Sequence, residues 1–249
     1  MIDKLDLNTK AQELREILGE DANSPVDIFS LAGQIDYLTL VYYPLGENIS
    51  GMCVKDDKVK LIAINSTMSY GRQRFSLAHE FYHLYFDDLS GFHVCAKKFD
   101  PQKEVEKKAD QFASYFIAPY KSLRAMLKKI CGAGSCSLQN VIAIEQYFGM
   151  SHQATLWRLI TEGYLTKSDA DHYSIGVISA ARSLGYDDKL YRPTPMDLQK
   201  RTYGHYLKQV EELRRKDIVS SGKIDELLLD AFREDIAFGE DDNGGEAID

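Results

Sequence analysis

The chain has no uninterrupted apolar run near the 18 residues that a membrane-spanning helix needs, so no membrane span is expected. Its first residues, Met1-Ile2-Asp3-Lys4-Leu5-Asp6, do not join a basic stretch to an apolar one. No secretory leader is therefore expected, and the location expected is cytoplasmic. Positive charge is in deficit: 30 Lys and Arg stand against 38 Asp and Glu, a formal charge of −8. That balance favours solubility and argues against a surface that coats nucleic acid, while leaving a local basic patch open. No tandem repeat is evident. Cysteine is sparse, four in 249 residues. Without a secretory signal, reduced thiols are the expectation at Cys53, Cys95, Cys131 and Cys136. Cys131 and Cys136 flank Gly132-Ala133-Gly134-Ser135, too loose a spacing for a structural zinc site, and no second pair completes one. His93 and Cys95 are metal-ligating types but read as ordinary loop residues.

Histidine is scarce too, six in all, yet two of the six stand in His79-Glu80-x-x-His83. On a helix, residues four apart lie one turn above each other on the same face, so two imidazoles can meet one metal ion. Glu80 is rotated about a quarter turn to the side, which puts its carboxylate beside the ion, near a bound water. The surrounding residues suit a helix. Ser69 can cap it, no Pro or Gly follows Gly71 until Gly91, and Phe75, Ala78, Tyr82 and Phe86 recur at helical spacing. The bland alternative is an amphipathic core helix whose histidines are satisfied by hydrogen bonds.

One zinc class would place Gly at 86 and a third His at 89; Phe86 and Leu89 exclude it. The other common solution takes a Glu from a later helix. The run from Gln102 to Tyr120 offers Glu104 and Glu106, and Asp110 follows Glu106 by one turn. From there Asp110 can accept a hydrogen bond from the far nitrogen of a ligating His and fix its tautomer. Two His and one Glu would leave a fourth position for water, the catalytic pattern. Tyr82, Tyr115 and Tyr120 are the nearby candidates for an oxyanion donor, and the sequence does not choose among them.

Around this segment the chain reads as α+β. Amphipathic helices are expected at 8–19, with Ala11, Leu14, Ile17 and Leu18 inward, and after a Ser24-Pro25 cap. A small, largely antiparallel sheet is expected over 36–65, with a hairpin turn at Asp56-Asp57 and an exposed edge able to hold an extended peptide. Residues 137–147 and 152–162, joined through Gly149, resemble a helix-turn-helix. The second helix carries Arg158 but few other bases, so direct DNA binding is the lesser reading for this unit. Tyr191-Arg192-Pro193-Thr194-Pro195 reads as an extended linker. Helices are expected at 199–217, with Tyr203 on the helical face, and at 224–238. The acidic tail is expected to be disordered.

The stretch Arg74-Phe75-Ser76-Leu77-Ala78-His79-Glu80-Phe81-Tyr82-His83, then Glu106-x-x-Ala109-Asp110-Gln111-Phe112-Ala113-Ser114, then Ile117-Ala118-Pro119, resembles the ImmA/IrrE family of metallopeptidases. Asp110 stands where that family often has Asn. The resemblance implies a mainly helical, zincin-like core at 1–130 and a helical C-terminal extension at 171–238; the helix-turn-helix-like segment takes 131–170 between them, and the tail takes 239–249. It also implies Glu106 as third ligand beside His79 and His83, Glu80 as general base, and Zn2+ as cofactor, with Mn2+ as the alternative. The implied substrate is a cognate helix-turn-helix repressor, cleaved to relieve repression. Two rival readings are a protein that inactivates the repressor by contact alone and a direct DNA-binding regulator.

Overall fold

The computed structural model describes residues 3–56, 59–87, 104–132 and 134–239, with the backbone of 91–96. The acidic tail from 240 onward lies outside them, as do the side chains of His93 and Cys95.

Helix α1 (Lys4–Ile17) is capped by Asp3, whose carboxylate accepts from the backbone N–H of Leu5 and Asp6. It buries Leu7, Ala11 and Leu14, at the spacing of one helical face. Ile17 was expected on that face but is 73 % exposed. The residue that turns inward instead is Arg15, which is fully buried and donates to the carbonyls of Asp21, Ser24 and Phe116. Helix α2 (Ile28–Gln34) starts later than the Ser24-Pro25 pair suggests, because Asp27 supplies the cap to Ser30.

Strands β1 (Leu38–Tyr43), β2 (Ile49–Lys55) and β3 (Lys60–Asn65) follow, then α3 (Tyr70–Phe86) and β4 (Gly91–Ala96). Next come α4 (Glu104–Ile117), α5 (Tyr120–Ile130), α6 (Leu138–Phe148), α7 (His152–Thr161), α8 (Lys167–Tyr173) and α9 (Val177–Ser183). The last elements are β5 (Arg201–Gly204), α10 (His205–Arg215), α11 (Ser221–Asp230) and α12 (Glu234–Ala237).

The sheet order is β4-β2-β3-β1-β5. Three pairings are antiparallel and one, β1 with β3, is parallel. The β2–β3 hairpin closes on Asp56, whose carboxylate accepts from Val59 N–H at 2.7 Å. Two strands lie beyond the expected 36–65 range. The edge of β1 is taken by residues 201–204, which the helical spacing of Tyr203 and Tyr206 had assigned to a helix. An unpaired strand edge next to a tyrosine-bearing segment outweighs helical periodicity there, and Tyr203 pairs with Leu40 and packs edge-on against Tyr42. The expected 224–238 helix likewise breaks at Phe232, which sits at φ 57.

Helix α3 lies against β2 and β3, and α4 packs on α3 from the other side. Ser69 occupies the cap position of α3 but makes no side-chain cap bond. Such a bond contributes roughly 1 kcal/mol. Burial of Phe75, Leu77, Phe81 and Leu84 contributes about 2 kcal/mol each, so packing rather than capping holds this helix. Its start is clamped by the segment read as a linker. Tyr70 N–H donates to the Arg192 carbonyl at 2.7 Å, Thr194 N–H to Ser66 at 3.1 Å, and the Thr194 hydroxyl to Gln73 Oε1 at 3.1 Å.

Helices α6 and α7 join the same core as α3 and α4 through Val141, Ile144, Phe148, Leu156 and Leu159. Gly149 ends α6 at φ 69, and a Cβ there would lie 2.6 Å from Arg74 Nε. Both the backbone angle and the space demand glycine. Arg74 in turn donates to the Gly149 carbonyl, which locks the turn to α3. Arg158, the base that α7 carries, is buried: it donates to Ser114 and Glu162 and lies 4.3 Å from the Tyr115 ring.

Cys131 and Cys136 are joined in a disulfide, correcting the expectation of reduced thiols there. The turn between α5 and α6 sets their Cα atoms 5.3 Å apart, inside the range that a disulfide spans. Cys53 is free and buried.

Candidate metal centre

One turn of α3 separates His79 from His83, and their Nε2 atoms lie 3.2 Å apart. From α4, Glu106 Oε2 comes within 3.3 Å of His79 Nε2, and Glu106 Oε1 within 3.7 Å of His83 Nε2. The two helices can meet this closely because Phe81, Phe112 and Phe116 interlock between them, with ring centroids 5.7 Å apart in both Phe81–Phe116 and Phe112–Phe116.

The outer nitrogens explain what the inner ones can do. His79 Nδ1 lies 2.9 Å from Asp110 Oδ1, and His83 Nδ1 lies 2.9 Å from Asp87 Oδ2. An ionised carboxylate only accepts, so each Nδ1 carries the proton and each Nε2 keeps its lone pair. Two imidazole lone pairs and a carboxylate then face one another, an arrangement that a shared cation resolves. The three side chains come close enough, at 3.2, 3.3 and 3.7 Å, for one small cation to be held among them. His79, His83 and Glu106 are the group among the described residues placed to hold an ion.

Burial tunes the site. The His83 imidazole is held below its ordinary pKa, first by burial and then by the neighbouring His79, against the opposing pull of Asp87 and Glu106. A depressed basicity keeps the ring neutral and ligating. Glu80 is wholly buried and turns toward the sheet, where a Cβ on Gly51 of β2 would lie 2.7 Å from its Oε1. Glycine at 51 thus opens the space in which this carboxylate lies. The Cys53 thiol next along β2 is pushed up to about 12 by burial and by the Glu80 charge.

Residues 38–159 match the family model Peptidase_M78, described as an IrrE N-terminal-like domain. The match is consistent with a metallopeptidase of the ImmA/IrrE family over this stretch of the chain. No relative is found among curated proteins. The match runs from β1 into α7, so it takes in β1 to β4, both helices of the metal centre and most of the helix-turn-helix-like pair, and leaves out β5.

Within this M78 domain the three tyrosine candidates are placed differently. Tyr82 has its ring centroid 5.9 Å from that of His83, but the ring is buried against Phe86 and Phe112. Tyr115 packs on Arg158 at the far end of α4, and the Tyr120 hydroxyl accepts from Arg124 at 2.7 Å. Two partners of the site escaped the sequence reading. Asp87 follows His83 by four residues, a spacing that a helix converts into contact, and that signal was present. Gly51 gave no local signal, because its neighbour Glu80 lies 29 positions away in sequence.

No helix among the described residues is long and apolar enough to cross a membrane.

Proposed function

We propose that this chain is a zinc-dependent regulatory endopeptidase that cleaves a cognate helix-turn-helix repressor of the XRE type and so relieves repression. The observation that carries the reading is the convergence of His79, His83 and Glu106 with Glu80 at the adjoining helical position. Three protein ligands leave one position for water or substrate, the pattern of hydrolytic rather than structural zinc. Zinc suits this ligand set, with manganese as the alternative. A bound metal supplies a Lewis acid that polarises the scissile carbonyl and acidifies water.

The chain's own groups supply the remaining chemistry. Asp110 and Asp87 hold the two imidazoles in the tautomer that presents Nε2. Glu80 takes a proton from the attacking water and returns it to the leaving amine. Its carboxylate is buried where α3 meets Gly51 of β2, which limits the rotamers open to it. The repressor as substrate follows from the family resemblance, and it makes the enzyme a specific cytoplasmic regulator rather than a digestive one. The burial of Arg158 argues against the rival in which α7 reads DNA.

The test is Glu80→Gln, which keeps size and removes the base. Zinc-loaded wild type, incubated with the repressor encoded beside it, yields two fragments; the variant yields none. Equal relief of repression by both proteins, with no fragments, would show that contact alone suffices and overturn the peptidase reading.

A further inference from the structure

Helices α6 and α7 have the form of a DNA-reading pair, yet α7 does not offer its faces to a duplex. Arg158, Leu156 and Leu159 are buried. Gln153 and Trp157, one turn apart on another face, line a cavity of about 920 Å³. Phe75 of α3 and Asp110 of α4 line it too, and Val177 and Ile178 of α9 contribute a further apolar stretch. Asp110 is the carboxylate bonded to His79 Nδ1, so the cavity borders the metal centre at the outer side of that imidazole. Its volume lies near the upper end of the 300–1,000 Å³ typical of ligand sites, room enough for a large side chain and its neighbours.

Resting on the peptidase reading above, we propose that this cavity is the enzyme's specificity groove. It receives the extended segment of the substrate chain beside the scissile bond and selects a large apolar or aromatic side chain, seated on Trp157 and flanked by Val177 and Ile178. Trp157, Val177 and Ile178 are all half-buried, which leaves apolar surface to be covered by such a side chain. The helix that would read base edges in a DNA-binding protein here reads a polypeptide.

Trp157 is the chain's single tryptophan, so its emission reports the groove directly. The experiment titrates zinc-loaded full-length Glu80→Gln protein with the neighbouring repressor, any tryptophan in the latter replaced by phenylalanine. A saturable shift of Trp157 emission is expected. In parallel, Trp157→Ala and Val177→Asp are introduced into the active chain. The second changes a half-exposed position, and metal content checks that each variant is folded. With metal retained, kcat/KM for the repressor should fall by roughly tenfold or more, the effect of losing one central apolar anchor. Cleavage within about twofold of wild type by both variants, beside an active wild type, overturns the groove and leaves the peptidase reading intact. If wild type cleaves nothing, the peptidase reading fails and the emission decides alone: a saturable shift keeps the groove as a polypeptide site, and a flat titration removes it.

Discussion

His83 and Asp87 lie one helical turn apart at the end of α3, with Nδ1 and Oδ2 2.9 Å from each other. The contact places a carboxylate behind the second imidazole just as Asp110 stands behind the first. Removing either carboxylate frees a ring to rotate and lowers its basicity as a ligand. Asp87→Ala and Asp110→Ala should each weaken zinc binding by roughly 10- to 100-fold while the protein stays folded. Competition with a fluorescent chelator measures this; affinity unchanged in both variants would remove the orienting role.

Gly51→Ala tests the space in which Glu80 lies. The added methyl would sit 2.7 Å from Glu80 Oε1 and 3.2 Å from the Ala63 carbonyl. The carboxylate must yield, because the backbone of β3 is held by the sheet. A displacement near 1 Å costs on the order of a hundredfold in rate. Single-turnover cleavage should therefore drop on that scale with zinc content unchanged. Full activity in this variant would mean that Glu80 can act from another rotamer.

Arg158→Ala probes the interior. Arg158 links α7 to Ser114 of α4 and to Glu162, and burial depresses its pKa against the pull of Glu162 and Tyr115. Deleting it leaves Glu162 and the Ser114 hydroxyl without their partner, a loss of about 3 kcal/mol by analogy with other broken buried pairs. Urea denaturation reads the loss directly. A change below about 0.5 kcal/mol would put this side chain in the class of ordinary surface positions.

A pH dependence follows from His152. Its Nδ1 faces Glu145 at 2.9 Å and its Nε2 faces the Tyr173 carbonyl at 3.0 Å, so a protonated ring finds an acceptor for each N–H. Burial opposes the charge, but the Glu145 and Tyr173 contacts outweigh it and the folded pKa is raised above 6.5. Glu145 also accepts from the Tyr191 hydroxyl at 2.6 Å, and that phenol's own pKa is raised by burial and by Glu145. A raised histidine stabilises the fold fully below its unfolded pKa and loses that contribution as pH rises through the folded value. Stability should therefore decline above pH 6.5, and His152→Gln should flatten the decline. Thermal midpoints across pH 6–9 check it; parallel curves for the two proteins would sink the assignment.

How much of this was legible beforehand varied with distance along the chain. His79 and His83 were readable because a helix turns a spacing of four into contact, and Asp87 obeys the same rule. Glu106 needed a second helix packed alongside the first, which spacing cannot supply; the family pattern did. Gly51 and Arg158 were opaque for the same reason, since each is defined by a neighbour dozens of residues off. The strand at 201–204 was misread because Tyr203, Tyr206 and Val210 fit a helix locally, while the edge of β1 that captures the first of them lies more than 150 positions earlier. Asp27 displaced the Ser24-Pro25 signal because one carboxylate bonds both the N–H and the hydroxyl of Ser30.

The clasp of residues 192–194 on the first turn of α3 makes the C-terminal third an architectural dependant of the catalytic half, and the reverse. A chain cut near residue 170 would lose both the staple at Tyr70 and the partner of β1. It would bare a row of unsatisfied strand amides, an invitation to aggregate. A shortened peptidase made for screening or crystallography should end beyond residue 204, not at the family boundary.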